Sequence, residues 1–166
     1  MDLTGFYAVV SGINFTLLGL WWVAVKERPD VGVGTAAGRR RAYLVALQFL
    51  IPGTMALLAQ AAPQEPLIWR ASFTIAGLAG ALGSALLGAA LARTGQRLIG
   101  GLVQWLSTAF YLVVAVVAAF PGTLSPSAAL RPLQIESILL CLLVFLGVHA
   151  AWVVAMAPQT SQDPPR

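Results

Sequence analysis

The sequence predicts an all-α fold: a polytopic integral membrane bundle of five transmembrane helices, with the N-terminus outside and the C-terminus cytoplasmic. Three observations lead there. Hydrophobic residues make up 58% of the 166-residue chain and charged residues only 10%, against about 25% charged in soluble domains. So short a chain has no interior able to hide that much apolar surface from water. The apolar residues also fall into five runs, each close to the roughly 20 helical residues that cross a hydrocarbon layer of about 30 Å. Finally, the 10 lysines and arginines are distributed unevenly. If the runs alternate in direction, all but Arg70 and Arg131 lie on one side, which the positive-inside bias makes the cytoplasmic one.

The first span is Gly5–Val25. Asp2 precedes it and no basic stretch does, while Lys26 and Arg28 follow it; this is the pattern of a retained anchor and not of a cleaved leader. Pro29, Gly32, Gly34 and Gly38 break the chain before the second span, Ala42–Ala62, which Arg39, Arg40 and Arg41 abut. That basic triplet reads as a topology determinant drawn to anionic headgroups. Pro63-Gln64-Glu65-Pro66 separates it from the third span, Ile68–Ala92, and Arg93 to Arg97 from the fourth, Leu98–Phe120. A longer connection from Pro121 to Pro132 leads to the fifth, Gln134–Met156. Residues 1–157 thus form one five-helix domain, and the polar, proline-containing stretch 158–166 is expected to be a disordered cytoplasmic tail. Trp21, Trp22, Trp152 and Trp69 fit the interfacial belts. Trp105, deeper in its span, is expected to pack inside the bundle.

The uncharged run Ala71–Ala92 has small residues at every fourth position: Ala76, Gly80, Ser84, Gly88 and Ala92. On a helix these share one face. In lipid such a face lets backbones approach closely, so this span is expected to be the one against which the others pack, within a chain or between copies.

Polar residues within spans are costly and mark candidate sites. Counting 1.5 Å per residue, Gln48, Ser84, Gln104 and His149 fall in one layer roughly 5–8 Å to the cytoplasmic side of the midplane, with Asn14 near the midplane itself. Pro52 frees the backbone carbonyl four residues back, which belongs to Gln48. The layer reads either as a constriction accessible to water or ions, or as hydrogen bonding that ties helices together. Glu136 and Arg70 lie at similar depth just inside the outer ends of their helices. They read as a charge pair across helices or, in an oligomer, as part of an acidic outer vestibule selecting cations.

Several chemistries have no support. The single Cys141 and single histidine exclude a disulfide framework, a cysteine-rich metal site and bis-histidine haem. No paired carboxylates, no H-E-x-x-H and no Walker loop occur, so neither an enzyme nor a metal or other cofactor is expected. The basic residues are too few, and too confined to helix ends, for nucleic acid. Gly83-Ser84 with His149 falls short of an intramembrane serine–histidine dyad, because Ala85 follows the serine. The functional expectation is a homo-oligomeric ion channel or small-solute permeation pathway in the plasma (inner) membrane. The alternative is a non-transporting scaffold, accessory subunit or lipid or pH sensor, and the intramembrane enzyme ranks last. The partners expected are the lipid bilayer, further copies of the chain and a small ion or solute.

Overall fold

The computed structural model describes residues 3–28, 34–61, 65–93, 97–121 and 132–156, without the side chains of 66, 97, 99, 104, 132 and 133. The described residues are helical almost throughout: α1 (Leu3–Glu27), α2 (Ala36–Ala61), α3 (Pro66–Ala92), α4 (Arg97–Leu102), a π-helical segment Val103–Ser107, α5 (Thr108–Ala119) and α6 (Pro132–Ala155). α4, the π segment and α5 run on as one rod. Five stretches are long and apolar enough to cross a membrane: Leu3–Glu27, Ala36–Ala61, Leu67–Ala92, Gly100–Ala119 and Gln134–Ala155. They match the expected spans closely. The tail 158–166 lies outside the described residues.

Local signals set the helix ends. α2 starts earlier than expected because Thr35 caps it: the Thr35 hydroxyl accepts the Gly38 N–H at 3.0 Å, and the Thr35 carbonyl accepts that of Arg39. This satisfies donors that the first turn would otherwise leave open. Arg39, Arg40 and Arg41 therefore belong to the first two turns of α2 and do not precede it. α3 begins with Pro66 in its first turn, where the missing N–H costs nothing.

α3 makes the most extensive contacts, as expected, while α2 is the most deeply buried span. α2 packs along α1, α3 and α6, whereas α3 packs along α2 and the α4–α5 rod. The small-residue face of α3 is consumed within the chain. A Cβ on Gly77 would sit 2.8 Å from the Tyr111 carbonyl oxygen, one on Gly80 would overlap the Tyr111 ring, and one on Gly100 would sit 3.1 Å from the Gly88 carbonyl oxygen. The closest part of the face is the Gly77–Gly80 pair, one step around the helix from the Ala76–Gly80–Ser84 row; Ala76 is only partly buried against the core. α6 leans on α1, α2, α5 and the π segment through one stripe: Glu136, Leu140, Leu143, Ala150 and Val154 are buried, spaced by three, four or seven.

Two apolar cores form along the bundle axis. One, at the end carrying most of the basic residues, includes Trp21, Val45, Phe49, Leu87, Val103 and Ala150. The other includes Tyr7, Met55, Phe73, Tyr111, Val114 and Leu140. Trp105, expected inside, is 76% exposed. Val103 and Ser107 flank it on the buried face, and a residue midway between them must face the other way. Trp21 lies inside instead of in a belt: it is 5% exposed, and its Nε1 donates to the Ala42 carbonyl at 2.9 Å.

Candidate functional site

Four buried polar residues, Asn14, Gln48, Ser84 and Ser107, gather where the two apolar cores meet. On α1, Asn14 lies between Val10 of one core and Trp21 of the other; on α3, Ser84 lies between Ala81 and Leu87; on the fourth rod, Ser107 lies between Val103 and Tyr111. On α2 the seam holds Gln48, Pro52 and Gly53, all buried. On α6 it holds Gly147.

Contacts draw this seam shut. Ser84 Oγ donates to Gln48 Oε1 at 3.2 Å, and the Gln48 amide donates to the Leu44 carbonyl at 3.5 Å. A Cβ on Gly147 would stand 3.2 Å from Gln48 Cβ and 3.3 Å from the Gln48 carbonyl oxygen. Pro52 leaves that carbonyl without its usual donor, and the absent side chain of Gly147 is what lets α6 come up against it. Gly53 plays the same part toward α1: a Cβ there would lie 3.1 Å from Asn14 Cβ and 3.3 Å from the Phe15 ring. The glycine beside the proline thus permits close approach as well as bending. Asn14 donates from Nδ2 to the Val10 carbonyl at 2.8 Å, while its Oδ1 is buried with no hydrogen-bond partner among the described residues.

Gln48 and Ser84 are therefore brought together at the expected height, with Asn14 and Pro52 within about a turn. His149 is not. It is exposed on the outside of α6, where Nδ1 donates to the Phe145 carbonyl at 2.8 Å and its ring lies 4.2 Å from that of Phe145. The buried stripe of α6 passes through Gly147 and Ala150, so Val148 and His149 between them face away. Matching depth placed His149 in the layer, but helical phase takes it out. The side chain of Gln104 lies outside the described residues; its backbone belongs to the π segment.

The proposed Arg70–Glu136 pair does not form. Arg70 continues the buried stripe of α3 through Phe73, Gly77 and Gly80 and so faces the end of α5. Its Nε donates to the Ala118 carbonyl at 3.2 Å and its terminal nitrogen to the Ala119 carbonyl at 2.8 Å. Carbonyls at a helix C-terminus lack intrahelical donors and carry the negative end of the helix dipole. A guanidinium is satisfied there as well as by a carboxylate. Glu136 is left 0% exposed, with neither carboxyl oxygen hydrogen-bonded among the described residues. Within one chain it is fully enclosed.

Sequence reasoning passed over Ser107, Gly77, Gly147 and the second clasp of this kind, in which Arg28 donates to the Ala155 carbonyl at 2.8 Å. The i, i+3, i+4 phase of each helix was a signal for the first three. No local signal announces the fourth, which joins residues 127 apart. Among the described residues no group of three histidine, cysteine, aspartate or glutamate side chains is placed to hold a metal. Comparison of the chain with protein-family models, with characterised proteins and with solved structures finds no match.

Proposed function

We propose that this chain is a non-transporting membrane protein of the plasma membrane, an accessory or sensing subunit whose buried polar groups hold its helices in register. The observation that supports this reading is the Ser84–Gln48 hydrogen bond, closed within one chain between two apolar cores, with Gly147 of α6 against the Gln48 backbone. A lumen lined by these groups needs them turned toward water. Here they are turned toward each other, as interhelical hydrogen bonds of modest strength usually are. The close-packing glycines of α3 are likewise used up against Tyr111, which leaves that face no role in joining copies.

A second reading, a homo-oligomeric ion channel or small-solute pathway, is favoured by one observation: the carboxyl group of Glu136 is buried with no hydrogen-bond partner among the described residues. Intramembrane ionisable residues are most often kept for function. Reconstitution into liposomes separates the two. The expected result is no proton, sodium, potassium or chloride flux above that of protein-free vesicles at any pH or voltage applied. Flux that disappears on Glu136→Gln or Gln48→Leu would establish permeation and remove the non-transporting reading.

A further inference from the structure

At the basic end of the bundle, α2 and α3 part slightly and leave a groove of about 240 Å³. Its mouth carries three guanidinium groups: Arg40 and Arg41 from the second turn of α2, and Arg93 from the end of α3. Its wall toward the membrane interior is apolar, formed by Leu44, Leu86 and Ala90 with their neighbours. Small residues on α3 keep the groove open, and Leu44 and Ala90 stand one turn further into the bundle than Arg40 and Arg93.

The charges are not answered from within. Among the described residues no carboxylate lines the groove, and Arg41 Nε is buried with no hydrogen-bond partner there. Three like charges around one opening repel each other, and a half-buried guanidinium with an unused donor is costly. Elsewhere in the molecule the same problem is solved internally: Arg28 and Arg70 spend their donors on the ends of α6 and α5.

We propose that this groove binds an anionic phospholipid of the adjoining leaflet, its phosphate between Arg40, Arg41 and Arg93 and one acyl chain against Leu44, Leu86 and Ala90. A phosphate oxygen accepts the bidentate geometry that guanidinium offers, and basic pockets between transmembrane helices suit lipid headgroups. The apolar wall selects a lipid over a free anion, because a soluble phosphate leaves that wall uncovered. This inference does not depend on whether the protein transports anything.

The test uses the full chain purified in a neutral detergent, with bound lipid counted by native mass spectrometry during titration with phosphatidylglycerol, phosphatidylcholine or inorganic phosphate. Phosphatidylglycerol should bind at a one-to-one ratio, and neither phosphatidylcholine nor phosphate should compete with it. Replacing Arg41 and Arg93 by glutamine should weaken that binding by about fivefold per arginine removed. Lys26→Gln with Arg39→Gln removes the same charge outside the groove and should leave the affinity within twofold, a difference far smaller than one arginine contributes. Ala90→Leu fills the groove without altering charge and should abolish the one-to-one complex, so the proposal stays testable if the arginine variants fail to fold. Equal binding of phosphatidylcholine, full competition by inorganic phosphate, equal loss in the Lys26/Arg39 variant or unchanged binding by the Ala90 variant would each overturn it.

Discussion

Gly80 and Gly83 lie three residues apart on α3 and should answer an added methyl group in opposite ways. A Cβ on Gly80 runs into the ring of Tyr111, whereas one on Gly83 meets only Leu47 Cδ1 at an ordinary 3.6 Å. Gly80→Ala is expected to cost about 1–3 kcal/mol, the usual penalty of overpacking a filled interface. Gly83→Ala should be neutral or gain up to about 1 kcal/mol from helix propensity. Thermal unfolding of the purified variants in detergent checks both. Glu136 is the other residue whose surroundings make a clear prediction. Its carboxyl group sits in an apolar stripe with no donor among the described residues, so Glu136→Leu should stabilise the protein by about 1–3 kcal/mol. Loss of stability in that variant would mean that the carboxyl group meets a partner outside the described residues. The sequence placed Gly80 and Glu136 at buried, consequential positions. It did not reveal what each faces, because that depends on residues far away in the chain, as Tyr111 is from Gly80, at separations where local periodicity is silent.

Between elements, the most telling contacts run from a side chain on one helix to the backbone end of another. Arg70 on α3 reaches the last carbonyls of α5, and Arg28 after α1 reaches the last carbonyl of α6. Each clasp satisfies acceptors that the helix cannot satisfy itself, and each fixes two helices in depth as well as in contact. Arg70→Ala should therefore lose about 1.5–3 kcal/mol, the range for hydrogen bonds to a charged group. In a double-mutant cycle with Glu136→Gln the coupling should stay within about 0.5 kcal/mol, as for residues that share no interaction. A larger coupling would restore the charge pair that depth alone suggested. The seam repeats the lesson with uncharged groups. Depth along the chain brought Gln48 and Ser84 to one level, yet the same reasoning admitted His149, which the phase of α6 turns outward.

For the whole molecule, composition was a sufficient guide to architecture. Five helices long and apolar enough to cross a membrane appear where five apolar runs were read, a form in which each segment pairs its own backbone groups, as lipid would require. Orientation remains a prediction of the basic asymmetry. With Cys141 replaced by serine, a cysteine at exposed Glu65 should react with a membrane-impermeant maleimide added to intact cells. A cysteine at exposed Thr35 should react only after the membrane is opened. The reverse pattern would invert the bundle.

Length, hydropathy and the placement of breakers determined the number of long apolar helices and, the start of α2 apart, their limits to within a few residues, because these depend on neighbours in the chain. The tertiary structure decided everything that depends on azimuth: that α2 is the most enclosed helix, that α3 glycines meet Tyr111, that Arg70 turns to a helix end and not to Glu136, and that Arg40, Arg41 and Arg93 share one groove. The physical reason is that lipid rewards any apolar surface equally. It constrains how far each helix is inserted but not which side of it faces inward, and that choice is left to packing and hydrogen bonding between helices.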